Sequence, residues 1–197
     1  MSFRIEKKIF INKFNLSEFK NTLFSNGVKT LHQNRRVQSI YFDNKIRQMY
    51  TDSIEGLTPR KKLRIRNYPN AHEMSYNFET KISSVEGRYK TTKKITNQDF
   101  EKIKSNGLFD PKYGVCMPLL NVIYLREYLI KDDIRITIDT DITYNIYDNA
   151  QTKKDEKIIV ELKASKDHDV DEIFKKYPFQ ETRFSKYCNG IELLNKY

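Results

Sequence analysis

Arg60, Lys62, Arg64 and Arg66 stand two residues apart. Successive side chains of an extended chain point to opposite faces, so these four cations share one side of a strand, and Leu63 and Ile65 share the other. The polar face of a half-buried strand ordinarily mixes its charges. Like charges about 6 Å apart repel by nearly 3 kcal/mol per pair at an effective dielectric near 20. A row of this kind is disfavoured until an anion or a carboxylate offsets it. Arginine grips phosphate oxygens through a planar, bidentate fork and lysine offers a point charge, so the chemistry the row invites is the binding of a polyanion.

Acids recur among the cations at the same two-residue spacing: Glu6 between Arg4 and Lys8, Glu79 beside Lys81, and Glu161 beside Lys163. Arg88, Lys90, Thr92 and Lys94 repeat the cationic row. There is no Gly-x-x-x-x-Gly-Lys loop, no dinucleotide fingerprint, no His-Glu-x-x-His and no Cys-x-x-Cys, so a nucleotide bound here would be held by side chains rather than by a glycine loop. His32, His72 and His168 are scattered and receive no role.

The whole composition agrees with a polyanionic partner. Thirty-six Lys and Arg against 26 Asp and Glu give a formal net charge of +10 over 197 residues. Six glycines and five prolines are too few for a linker-rich chain, and the length suits one domain spanning 1–197 with a real core. Cys116 and Cys188 match neither a disulfide framework nor a metal motif. The first residues are charged without an apolar signal region, and no apolar run approaches 18 residues. These features predict a chain without a membrane segment, in the cytoplasm.

The elements that must position these residues follow from periodicity. Strands are predicted at 4–11, 37–43, 60–68, 76–83, 88–95, 121–130, 134–141 and 157–163, eight in all, nearly every one with an apolar and a charged face. Helices are predicted at 15–26, with Asn15 and Glu18 as a capping pair, at 45–55 behind Asn44, and at 96–106 behind Thr96 and Asp99. Ile46, Met49, Tyr50 and Ile54 form the stripe of the second helix. A short helix near 170–176 and a terminal one over 185–197, with Ile191 and Leu194 buried, complete the set, and 147–156 reads as loop. Such strands build either a sandwich with its charges in water or a closed barrel with a charged lumen and amphipathic helices outside. Tyr41, Tyr68 and Tyr128 read as packing or hydrogen-bonding residues on strands.

Eight segments in order resemble the VTC domain of polyphosphate polymerases, within the triphosphate tunnel metalloenzymes and related to the CYTH phosphatases. They are Arg4-Ile-Glu-Lys-Lys, Ser39-Ile-Tyr-Phe-Asp, Arg60-Lys-Lys-Leu-Arg-Ile-Arg-Asn-Tyr, Phe78-Glu-Thr-Lys, Tyr124-Leu-Arg-Glu-Tyr, Arg135-Ile-Thr-Ile-Asp, Val160-Glu-Leu-Lys and Phe184-Ser-Lys-Tyr. The resemblance implies an α+β fold, an antiparallel closed β-barrel of about eight strands with a polar lumen. It implies transfer of the ATP γ-phosphoryl to inorganic polyphosphate, with Mn²⁺ or Mg²⁺ as cofactor and no nucleic acid partner. Carried over by motif, Lys8, Arg64, Arg66, Lys81, Lys94, Arg126 and Lys163 grip phosphates, and Lys62 and Arg135 join them from the same segments. Glu161 holds the metal, with Glu6 and Glu79 as supporting acids. Tyr124, Ser185 and Lys186 contact the terminal phosphate or the acceptor. The resemblance does not extend to the phosphate-sensing and transmembrane parts of the family's membrane-bound complexes, so coupling to translocation is not implied.

Plainer roles stand beside these. Glu161 could neutralise Lys163, Ser185 could cap a helix, and Asp43 and Asp139 could be metal-site helpers or turn and ladder residues. The rival functions are a tripolyphosphatase or NTPase using the same tunnel, and a non-catalytic module binding polyphosphate, nucleotide or RNA.

Overall fold

Period-two alternation becomes strand wherever it occurs in the described residues. The computed structural model describes residues 4–71, 73–165 and 181–195. Their order is β1 (Arg4–Ile11), α1 (Leu16–Ser25), β2 (Lys29–Asp43), α2 (Gln48–Ile54), β3 (Arg60–Asn67), β4 (Tyr76–Ser83) and β5 (Arg88–Ile95), then α3 (Asn97–Asn106), β6 (Leu108–Asp110), β7 (Gly114–Lys131), β8 (Ile134–Ile146), β9 (Thr152–Asp155), β10 (Ile158–Ser165) and α4 (Lys186–Asn195). The helix expected at 170–176 lies outside the described residues. No helix among them is long and apolar enough to cross a membrane.

The α+β class and the antiparallel pairing are as expected, and barrel closure is not. The strands form one ten-stranded sheet in the order β1-β10-β8-β7-β2-β3-β4-β5, with β6 beside β7 and β9 beside β8. The order is open, because β1 and β5 end it without pairing to each other among the described residues. Alternation says which residues share a face. It does not say whether the last strand meets the first. β5 is exposed along almost its whole length and rich in lysine, as edge strands commonly are.

Strand lengths differ for a related reason. β2 begins at Lys29 rather than Val37, and its first eight residues are mostly exposed and polar, so no apolar alternation marks them. Backbone pairing extends β7 and β8 beyond their periodic stretches, and β9 emerges inside the expected loop. The helix behind Asn44 is only seven residues, because Arg47 adopts a left-handed φ of 56° just before it. Ile46, expected on its buried stripe, is 75% exposed, whereas Met49 is buried. Asn15 makes no capping bond, since a 3-10 turn at Lys13–Asn15 already places its backbone in the helical region.

The chain divides into two compact units. Unit 1 comprises Met1–Arg36, Tyr124–Ile142 and Lys154–Phe184, and unit 2 comprises Val37–Ile123, Thr143–Lys153 and Ser185–Tyr197. In unit 1 the apolar faces of β1, β10 and β8 supply Ile9, Ile11, Val160, Leu162, Ile136 and Ile138 to one core, and α1 seals it with Phe19 and Leu23. Burying these six aliphatic strand side chains stabilises the unit by about 9–18 kcal/mol, at about 1.5–3 kcal/mol each. In unit 2, α3 opens with the expected capping box, in which Thr96 Oγ1 accepts from the Asp99 N–H. Asp43, at the end of β2, accepts from the N–H groups of Asn44, Met49 and Tyr50 and from the Tyr187 hydroxyl. One carboxylate thereby ties α2 and α4 to the sheet.

Candidate phosphate and metal site

Register brings the charges of unit 2 onto one face. Tyr41 stands opposite Arg64, Arg64 opposite Glu79, and Glu79 opposite Thr92. The adjacent rows are Ser39, Arg66, Asn77 and Lys94 on one side and Lys62, Lys81 and Lys90 on the other. Directly opposed residues lie on the same side of an antiparallel sheet. The face therefore carries the β3 cations, Lys81 of β4 and three cations of β5.

Glu79 is the acid at its centre. Arg64 Nε donates to its Oε2 at 2.6 Å, Lys90 Nζ donates to its Oε1 at 2.8 Å, and Arg66 Nη1 lies 3.7 Å from Oε1. Arg64 also donates to the Tyr41 hydroxyl at 3.0 Å, and Arg66 Nε donates to Ser39 Oγ at 3.4 Å. Burial by itself would raise the Glu79 carboxyl, but the charges of Arg64, Arg66 and Lys90 outweigh it and hold it at about 2. These bonds lock both arginine forks before any ligand arrives. Lys62 Nζ donates to Ser185 Oγ at 2.8 Å, and the Cys188 N–H reaches the same oxygen at 3.4 Å. Ser185 is thus both a cap of α4 and a neighbour of the cationic row, with Lys186 on the first turn.

Unit 1 presents a second charged face with a different balance. Glu6 stands opposite Lys163 and Lys8 opposite Glu161, a chequerboard of two acids and two lysines across β1 and β10. The ion pairs close along each strand, Lys8 to Glu6 at 3.0 Å and Lys163 to Glu161 at 2.7 Å. Lys8 Nζ also donates to the Phe184 carbonyl at 3.1 Å. Burial opposes ionisation of Glu161, yet Lys163, Lys8 and Arg126 hold its carboxyl well below the usual range. Its buried Oε1 lies 2.7 Å from Lys163 Nζ. Arg126 donates through Nε and Nη2 to the two oxygens of Asp139 at 2.6 and 2.7 Å, and its guanidinium lies 5.2 Å from the Tyr124 ring centroid.

Every expected site residue falls in the described part of the chain. Within unit 2, Lys62, Arg64, Arg66, Glu79, Lys81, Lys94, Ser185 and Lys186 gather around the face and the start of α4. Within unit 1, Glu6, Lys8, Arg126, Glu161 and Lys163 gather around the chequerboard, with Arg135 exposed opposite Lys163. Tyr124 is only 1% exposed and sits beneath Arg126. Register gives three residues more definite partners than sequence did: Asp139, weighed there as a metal-site helper or ladder residue, orients Arg126; Tyr41, read as a packing or hydrogen-bonding residue, positions Arg64; and Lys90, placed in the β5 cationic row, pairs with Glu79.

The acids of unit 1 that could take a hard divalent ion are Glu161 and Glu6, which lie diagonally across the ladder, each already paired with a lysine of its own strand. No group of three or more His, Cys, Asp or Glu that could hold a metal occurs among the described residues, so phosphate oxygens and water would complete the shell, as Mg²⁺ commonly requires.

Fold and site together define an α+β protein whose antiparallel sheet presents a cation-dense face suited to a polyanion. The VTC domain model matches residues 3–195, and the chain belongs to that family. No curated protein sequence matches it. Among solved structures it is similar to a candidate adenylate cyclase from Bacillus halodurans, with 14% identity, TM-score 0.64 and coverage of 93% of this chain and 94% of that one. The PH1819 protein of Pyrococcus horikoshii gives 14% identity and TM-score 0.63 over 99% and 100% of the two chains. A candidate adenylate cyclase from Vibrio parahaemolyticus gives 14% and 0.59 over 97% and 98%. At these identities the likeness concerns the fold alone.

Proposed function

We propose that this protein is a metal-dependent phosphotransferase that moves the γ-phosphoryl group of ATP onto a growing inorganic polyphosphate chain. The observation that carries the reading is the charge of the β3–β5 face: Arg60, Lys62, Arg64, Arg66, Lys81, Arg88, Lys90 and Lys94 against Glu79 as its one carboxylate on these strands. Membership of the VTC domain family supports the same assignment. A surplus of that size is relieved by a ligand with several closely spaced charges, which describes a triphosphate and a polyphosphate chain better than a single phosphate.

The residues suit transfer between phosphates. The Pγ–O bond to ADP breaks as a terminal polyphosphate oxygen bonds to phosphorus, and ADP leaves with the bonding electrons. That terminal oxygen is already ionised near neutral pH, so the acceptor needs positioning rather than deprotonation. Arg64 and Arg66, held in fixed forks, would orient phosphoryl oxygens. Lys62, Ser185 and Lys186, grouped at the start of α4, would hold the acceptor end. In unit 1, Glu161 and Glu6 would hold Mn²⁺ or Mg²⁺, which would supply charge neutralisation to phosphate oxygens bound beside Lys8 and Lys163.

The test is incubation with ATP and Mn²⁺ or Mg²⁺ followed by separation of products by chain length. A ladder of long chains, lost in Glu161→Gln, is expected. Orthophosphate alone would sink the polymerase reading and leave a tripolyphosphatase or NTPase. No turnover at all would leave a binding module.

A further inference from the structure

The charged face of unit 1 does not end at Arg126. Leu129 belongs to the buried core, and Glu127 pairs with Lys20 of α1 at 2.6 Å. Tyr128, between them, therefore points to the opposite side of the sheet, which it shares with Arg126. Only Asp132 and Asp133 join β7 to β8, so the two strands form a hairpin. Counting back from that turn sets Arg126 against Asp139, its ion-pair partner, and Tyr128 against Thr137. Thr137 stands opposite Glu161, and Glu161 opposite Lys8. One row thus runs Lys8, Glu161, Thr137, Tyr128 across four strands, and two strand spacings put Tyr128 about 10 Å from Glu161.

The far end of this row is aromatic and cationic. β2 lies beside β7, and its stretch from Lys29 to Arg36 contains no acid and no buried residue. Two of its side chains gather at Tyr128. The His32 ring stands nearly edge-on to the tyrosine with centroids 5.8 Å apart, and the Arg35 guanidinium lies 5.8 Å from the Tyr128 ring centroid. His32 and Arg35 are exposed, whereas Tyr128 is half-buried. Tyrosine, histidine and arginine planes are the surfaces on which nucleobases stack. An exposed cation–π contact is weak, and a base laid on an aromatic ring gains more, so Arg35 can lift and close over such a base.

We propose that Tyr128, with His32 and Arg35, forms a nucleobase subsite: the base of a nucleoside triphosphate stacks on the Tyr128 ring while its phosphates lie toward Glu161 and Lys8. The inference rests on the reading of unit 1 as a seat for phosphates. The row has the order such a ligand needs, with charge at one end, the small neutral Thr137 in the middle and a flat ring at the other end. Inorganic polyphosphate has no base, so this subsite would distinguish the donor nucleotide from the acceptor chain.

The experiment compares ATP with tripolyphosphate by calorimetry, both without metal. Tyr128→Ala should weaken ATP binding about tenfold, the usual contribution of one stacked base, and leave tripolyphosphate binding within about twofold. Tyr128→Phe should restore ATP binding, and His32→Ala, at an exposed position where folding is not at stake, should weaken ATP alone. In the unaltered protein, photolabelling with 8-azido-ATP followed by mass spectrometry should place the label within residues 29–36 or 127–131. Unchanged ATP affinity in Tyr128→Ala, equal losses for both ligands, or a label elsewhere overturns the proposal. If tripolyphosphate binds and these tests fail, only the base subsite falls; if the unaltered protein binds neither ligand, the phosphate reading falls with it.

Discussion

Replacing Glu79 with glutamine removes one negative charge from between Arg64, Arg66 and Lys90 and keeps the shape of the side chain. The fall of the carboxyl from an ordinary 4.5 to about 2 corresponds to stabilisation of about 3 kcal/mol at neutral pH. The acid is nearly fully buried, so solvent screening removes little of this. The sign follows from the direction of the shift. The folded carboxyl is the stronger acid, so its contribution is complete above about 4.5 and is lost as pH falls toward 2.

Urea unfolding of the parent and Glu79→Gln at pH 7 should differ by about 3 kcal/mol. The gap should narrow steadily below pH 4.5 and fall under about 1 kcal/mol by pH 2. The same substitution should tighten metal-free tripolyphosphate binding, because the face gains one unit of positive charge. Equal stability at pH 7, or a gap that does not change with pH, would refute the view that three cations hold this carboxylate ionised. Loss of tripolyphosphate binding in a variant that remains folded would refute its role as counter-ion.

Three further outcomes check other parts of the structure. Arg126→Ala leaves the buried Asp139 without its bidentate partner and should cost about 3–5 kcal/mol in denaturant unfolding, while the double change with Asp139→Asn should recover part of the loss. Gly190→Ala should cost about 1–3 kcal/mol, because the added Cβ would lie 2.5 Å from a Tyr144 ring carbon and 2.7 Å from a Leu120 methyl; unchanged thermal unfolding would show that α4 is not packed so closely. Thr96→Ala removes one half of the α3 capping box and should cost about 1 kcal/mol in urea unfolding, an effect that Thr96→Ser should largely restore.

The sequence by itself determined the elements, their faces and most of the chemistry. β1, β4 and β5 run over the expected residues because each alternates charged or polar with apolar or neutral side chains except at Lys7 and Lys93, and side-chain direction has a period of two whatever the surroundings. The α3 cap was legible because Thr96 and Asp99 interact within one turn. Cationic and acidic site residues were legible by type, and their order along the chain carried the family. Tertiary structure decided what long-range pairing controls. Asp139 meets Arg126 across β7 and β8, Tyr41 meets Arg64 across β2 and β3, and Glu79 gathers a cation from β5 that spacing along the chain could not single out. The open order of the sheet belongs here too. Parity says which face a residue takes, but register and closure depend on backbone hydrogen bonds between strands far apart in sequence, and local alternation contains no information about those partners.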